Sequence, residues 1–492
     1  VTALLVIAAF LLVAVALGLR ARRGRDMNLQ EWSVGGRGFG TVFVFLLLAG
    51  EIYTTFTFLG ASGWAYGKGG PAFYILAYAS LAYVISYWLL PVVWRFANEH
   101  RLVSQSDFFA RKFDSPALGA LVALVGVVAM VPYLVLQLTG MGLIVSAASY
   151  GHLSPHAAVV IGTVALTGYV TVSGIHGSAW TAVLKDVLIL GVVVFLGLYL
   201  PLHYSGGIGR MFHSVDAARP GFLTLPHQGL SPWWFASTVL LSALGFYLWP
   251  HTFSATYSAR NPGVFRRNAV FLPLYQLVLL FVFFAGFAAL VAVPGLKGAD
   301  GDLSLLKVTV KSFDPWFVGV VGGAGLLTAL VPGSLLLMAS ATCLAKNVYQ
   351  LARPAATERT VGRLAKALVP VLAAVALLFT FNGGSAIVNL LLMGYALVTQ
   401  LFPALLFSLT ARRAVTKQGA AAGIVAGVAT VAATTLARTT VADLLPFLPQ
   451  PVKDLNVGIV ALLVNTVALL VVSAATRPSA VAAPVPVTGE AG

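Results

Sequence analysis

Apolar residues run in windows of about 20, the length at which a helix crosses a hydrocarbon core of roughly 30 Å. Charged or Pro/Gly-rich breaks separate the windows. Thirteen are read as helices, at 2–19, 38–66, 71–95, 117–149, 155–174, 180–203, 232–253, 268–294, 315–345, 366–381, 386–411, 419–437 and 456–474. Lys and Arg in alternate connections test this reading, because cytoplasmic loops carry the excess. With the N-terminus outside, the inner segments (20–37, 95–115, Lys185, 260–267, 346–366, 412–417 and Arg477) hold 22 and the outer ones 8. A missed or extra helix in the middle would scramble this alternation. The pattern therefore predicts an all-α polytopic membrane protein of about thirteen transmembrane helices, multi-pass in the plasma membrane, with the C-terminus cytoplasmic. Residues 1–476 form a single transmembrane domain, and the Ala/Pro/Val-rich tail at 477–492 is expected to be disordered.

Composition agrees: 59% of the 492 residues are hydrophobic and 9% charged, far from a soluble domain. The net charge of +15 would suggest nucleic acid in a soluble protein. Here it is explained by topology, and no nucleic-acid partner or obligate protein partner is expected beyond the lipid bilayer. The first window is followed, not preceded, by Arg20, Arg22, Arg23 and Arg25, so it reads as a retained anchor rather than a cleaved signal. A lone Cys343 allows no intrachain disulfide. His152 and His156 have no acid or cysteine beside them in sequence to make a metal site. No cofactor motif and no catalytic set is found, so neither an enzyme nor a cofactor is expected.

Helices two to six and seven to eleven make two five-span units, 38–203 and 232–411. An odd number of crossings turns the second unit upside down relative to the first. Each unit opens on an interrupted helix, through Gly50-Glu51-Ile52-Tyr53-Thr54-Thr55-Phe56-Thr57 and Gly245-Phe246-Tyr247-Leu248-Trp249-Pro250-His251-Thr252. Unwound backbone at mid-membrane persists where it lines a cavity, so paired interruptions point to a transporter's binding site. The expected cavity is lined by Tyr53, Thr54 and Thr57 on one side and Trp249, Pro250 and His251 on the other.

Intramembrane polar residues sharpen this picture. Glu51 has no Lys or Arg within thirteen residues on either side and reads as a coupling or binding carboxyl, or as a neutral packing group. His251 either binds a carboxylate or marks the membrane boundary. Gln137 and Gln400 are substrate ligands or interhelical glue. Lys185 and Asp186, at the inner start of the sixth span, read as an ion-path acid and its neighbour or as a snorkelling anchor. Gly322-Gly323-Ala324-Gly325 reads as close helix packing.

Several stretches resemble the sodium:solute symporter family over residues 28 to 415: Glu31-Trp32-Ser33-Val34-Gly35-Gly36-Arg37, Phe58-Leu59-Gly60, Trp64-Ala65-Tyr66-Gly67, Ser173-Gly174, Lys185-Asp186-Val187 and Lys346-Asn347-Val348-Tyr349. Others resemble its bacterial monocarboxylate permease branch: Tyr133-Leu134-Val135-Leu136-Gln137-Leu138, Trp249-Pro250-His251, Phe265-Arg266-Arg267-Asn268-Ala269, Trp316-Phe317-Val318-Gly319 and Ala329-Leu330-Val331-Pro332. The resemblance implies the five-plus-five inverted-repeat fold of amino-acid and sugar symporters, with extra helices at both ends. It implies symport of a small monocarboxylate (pyruvate, lactate, acetate or propionate), the alternative being sodium symport of proline or a sugar.

The resemblance also implies a sodium site from carbonyls at Gly50, Tyr53 and Thr328 plus two serine hydroxyls, with Asp186 near the ion's exit. The serine positions fall on Val331 and Pro332, which carry no hydroxyl. The coupling cation is thus H+ or Na+. With two oxygens missing, H+ is expected, carried by Glu51; were the ion Na+, Ser334 or the Glu51 carboxylate would complete its site.

Overall fold

Long uncharged apolar runs satisfy their backbone within the bilayer by forming helices. The computed structural model, which describes residues 1–50, 52–383, 386–410 and 414–477, is helical from end to end. Among the described residues ten helices are long and apolar enough to cross a membrane. One of them, Pro155–Ser205, carries two crossings, because Gly174 at φ +54° and ψ −151° bends it. Two more crossings are assembled from shorter pieces on either side of a break, which brings the number to thirteen, here α1 to α13.

Helix α1 is Thr2–Ala21, and α2 is split into Thr41–Ala49 and Ser62–Lys68. Next come α3 (Tyr74–Glu99) and α4 (Pro116–Ala148), then α5 and α6 on the two sides of Gly174. Helix α7 is split into Pro232–Gly245 and Pro250–Tyr257, and α8 into Gly263–Gln276 and Leu279–Ala292. The rest are α9 (Pro315–Cys343), α10 (Glu358–Asn382), α11 (Ile387–Val398 and Phe402–Thr410), α12 (Lys417–Ala437) and α13 (Val457–Thr476). Helix α10 starts before the predicted 366, since Thr357 caps it by accepting from the Thr360 N–H at 3.3 Å, and Arg359 and Arg363 are tolerated where the helix leaves the bilayer. The connections contain helices that hydropathy alone did not predict, including Leu29–Val34, Gln105–Lys112 and Ile208–Ala218.

Helix α9 is the buried axis of the molecule. Its glycines let neighbours approach closely: a methyl group on Gly322 would lie 2.7 Å from Ile7 of α1. The predicted inner connections gather on one face. Lys366 donates to the Met27 carbonyl, Arg37 to the Leu102 carbonyl, Phe39 N–H to Ser258, and Lys346 pairs with Asp107. The outer ones gather on the other, where Gly70 N–H bonds to Phe222 and Gly229 N–H to Asp454. The alternation of connections read from the charges is therefore the alternation of the fold.

Candidate functional site

The break in α2 is mended by threonines. Ile52 and Tyr53 N–H both reach back to the Ala49 carbonyl, at 3.0 and 3.2 Å. The Thr54 hydroxyl accepts from Phe56 N–H at 3.1 Å, and the Thr57 hydroxyl donates to the Ile52 carbonyl at 2.6 Å. Both hydroxyls are thus engaged by their own backbone, a structural duty that sequence did not separate from substrate binding. Glu51 lies outside the described residues.

In α7 a single turn, Phe246–Leu248, ends on Trp249 in extended conformation before Pro250 opens the second half. Pro250 suits a first helical position, where its missing N–H costs nothing. The Leu248 carbonyl freed by the break accepts from Gln105. An aromatic cluster surrounds this point. The Trp249 ring lies 5.1 Å from Tyr133 and 5.3 Å from Tyr395, His251 lies 5.7 Å from Tyr133, and Tyr78 lies 5.6 Å from Tyr395.

One turn beyond Tyr133, Gln137 reaches the break in α2, its side-chain oxygen accepting from the Thr55 hydroxyl at 2.5 Å. Its Nε2 is buried without a hydrogen-bond partner. Trp249 and His251 thus meet at Tyr133, one turn from Gln137, with Thr55, Tyr78 and Tyr395 added around them. Thr55 lies within the first interruption, whereas Tyr78 and Tyr395 carry no sequence signal of their own, since a tyrosine in an apolar helix is common.

Gln400 does not belong here. Its amide donates to Ala396 and Gly458 at 3.0 and 3.2 Å and its oxygens accept from Asn465, which ties α11 to α13. It is interhelical glue, and the cavity assignment is corrected accordingly.

Lys185 and Asp186 are also corrected. They are no anchor at the membrane surface: both are buried within α6, with Lys185 fully so. The ammonium pairs with Asp186 at 2.9 Å and donates to the Tyr53 carbonyl at 3.3 Å, and a methyl group on Gly50 would lie 3.3 Å from it. Tyr275 of α8 donates to Asp186 at 3.5 Å, and the Tyr53 hydroxyl donates to the Tyr275 carbonyl at 3.0 Å. Lys185 is therefore no loop charge, and removing it from the inner tally leaves 21 against 8. A sequence signal for it existed, because a lysine inside a long apolar helix is functional by default.

Thr328 lies fully buried in α9 with its hydroxyl returned to the Gly325 carbonyl at 2.6 Å. Ser334, a candidate substitute oxygen, is engaged by Ser178 and the Val331 carbonyl, each at 2.6 Å.

On the face that carries the predicted outer connections a cavity of about 390 Å³ is walled by Thr139, Leu143, His156, Asp302, Phe381 and Leu390. On the opposite face Asp107 accepts from Asn347 at 2.8 Å and pairs with Lys346 at 3.0 Å. Burial pushes the Asp107 carboxyl up, but Lys346, the Val103 N–H and Asn347 outweigh this and hold it below its ordinary value. The Lys346-Asn347 string of the sequence thus locks α9 to the helix Gln105–Lys112.

The sodium:solute symporter family matches residues 32–427, most of the chain. The chain belongs to the sodium:solute symporter family. It is 65% identical to the uncharacterized symporter YhjB of Bacillus subtilis (strain 168), over 98% of each chain. It is 30% identical to the monocarboxylate transport permease protein of Rhizobium johnstonii (strain DSM 114642 / LMG 32736 / 3841), covering 83% of this chain and 84% of that one. Its fold is that of a Na+-coupled sialic acid symporter solved in a substrate-bound, outward-open state, with a TM-score of 0.78 over 97% of this chain and 98% of that one at 15% identity. This family member thus has the five-plus-five inverted-repeat architecture and is a cation-coupled solute symporter. Its family and fold are those of transporters rather than enzymes.

Proposed function

We propose that this symporter imports a small monocarboxylate of the pyruvate, lactate, acetate or propionate class across the cytoplasmic membrane, with its N-terminus outside. The reading is carried by Gln137, whose buried Nε2 has no hydrogen-bond partner and sits one turn from Tyr133 in the aromatic cluster. A short carboxylate needs a few convergent donors in an otherwise apolar pocket. The half-helix Pro250–Tyr257 presents its N-terminal, positive end beside Trp249, which favours an anion. The name of the Rhizobium relative agrees with this substrate class. Counterflow in proteoliposomes, with labelled acids, proline and sugars tested singly, checks it: unlabelled pyruvate or propionate inside should draw in labelled acid. Exchange of proline or a sugar with the acids excluded would overturn the proposal.

A further inference from the structure

The face that carries the predicted inner connections holds a cavity of about 690 Å³, between the segment that links α1 to α2 and the first turns of α10. Met27 and Leu29 wall it on one side, and Arg359, Arg363 and Lys366 on the other. These three cations stand four and three residues apart, the spacing that puts side chains on one face of a helix. Lys366 is half-buried and donates to the Met27 carbonyl at 2.7 Å, which fixes its position. Arg359 and Arg363 are exposed, and the ion pairs on this face, Arg25 with Glu31 and Lys346 with Asp107, use other residues. Two carboxylates, Asp26 and Glu358, share the wall. Arg22, directly after α1, is close enough to act on the Lys366 charge. Four cations thus surround the cavity against two anions.

Basic residues at helix ends ordinarily snorkel to the membrane surface and need no ligand. Here they converge on a cavity at the border of the apolar belt. Further along α10 Val371, Val375 and Leu378 are exposed, as are Leu12 and Leu19 of α1. Large apolar side chains exposed on spanning helices face lipid, so an occupant of the cavity has guanidinium groups around it and acyl chains beside it. A guanidinium fork matches two oxygens of a phosphate, and basic pockets between helices at the bilayer surface take anionic headgroups.

We propose that this cavity binds an anionic glycerophospholipid, its phosphodiester held by Arg359 and Arg363 and its acyl chains lying along the exposed apolar side of α10. Soluble phosphate esters share the headgroup's chemistry, but the apolar surface beside the cavity favours the lipid. The headgroup bridges α10 to the segment that leads into α2. It adds to the bond from Lys366 to Met27 and to the packing of Gly362, where a methyl group would lie 3.6 Å from Leu29. The lipid thereby braces the approach to the first broken helix, whatever solute is carried.

The test takes the purified full chain in detergent holding equal amounts of phosphatidylglycerol and phosphatidylcholine, and native mass spectrometry counts the lipid retained. The wild type should keep phosphatidylglycerol in preference. Arg359→Gln/Arg363→Gln should lower that retention about tenfold, since each basic side chain near a headgroup adds to the attraction. Arg266→Gln/Arg267→Gln, an equal loss of charge on the same predicted face, should leave it unchanged. Equal retention of the two lipids by the wild type overturns the proposal without any variant. Full retention by Arg359→Gln/Arg363→Gln overturns it as well. So do equal losses in the two double variants, because the whole basic surface is then the attractor. In nanodiscs of phosphatidylcholine, added phosphatidylglycerol should raise the wild-type unfolding temperature and glycerol 3-phosphate should not. An equal rise with glycerol 3-phosphate assigns the cavity to a soluble ester and overturns the lipid assignment.

Discussion

Gln137 and Gln400 lie in equally apolar stretches of sequence, yet their partners differ. Gln137 keeps its Nε2 without a hydrogen-bond partner, whereas every side-chain polar group of Gln400 is engaged between α11 and α13. Gln137→Leu should therefore raise the Michaelis constant for uptake several-fold, with little effect on the unfolding temperature. Gln400→Leu should leave that constant unchanged and destabilise by about 1–3 kcal/mol, because Asn465 and the Gly458 carbonyl lose a buried partner. Uptake kinetics and thermal unfolding of the two variants separate a ligand from glue. Hydropathy does not distinguish them, because it records how apolar the neighbours in sequence are and not which helix the amide faces.

At the scale of elements, the breaks carry the chemistry and specific contacts hold them. Gly174 is needed where α5 turns into α6, since a side chain at φ +54° is strained and its Cβ would lie 2.5 Å from the Trp32 carbonyl. The segment Gly298–Leu303 docks by its Asp302, which accepts from Ile387 N–H at the start of α11 at 2.9 Å. Burial pushes the Asp302 carboxyl up to about 7, and the Ile387 N–H only partly opposes this. The folded protein thus holds this proton to higher pH than the unfolded chain does. Its contribution to stability is fully present below the ordinary carboxylate range and is lost as pH rises to about 7, by up to about 4 kcal/mol. The unfolding temperature should fall between about pH 4 and about pH 7, and Asp302→Asn should flatten that slope. An unchanged slope in the variant would assign the pH dependence elsewhere.

For the whole molecule, sidedness is the property on which uptake depends. The loop at Glu358 should be cytoplasmic and the segment at Asp300 outside, since the positive excess lies on the face that carries Arg359 and Arg363. Both positions are exposed, and the native Cys343 is buried. Cysteines introduced singly at Asp300 and Glu358 should give membrane-impermeant labelling of intact cells at the first and none at the second. The reverse pattern would invert the orientation while leaving the fold intact.

The thirteen crossings, their alternation and the two interrupted helices were legible in the chain because burial in lipid acts on local composition. A run of about 20 apolar residues has no stable alternative to a helix in the bilayer, and Pro or Gly within it marks where the backbone opens. Which polar side chains meet was decided by tertiary structure alone. Lys185 lies more than 130 residues from Tyr53, Gln137 more than 80 from Thr55, and Gln400 more than 60 from Asn465. Hydropathy therefore placed Lys185 at a helix entrance, and packing against α2 and α8 set it in the interior. A buried charge or amide is stable only beside a partner, and that partner is chosen by how the helices pack.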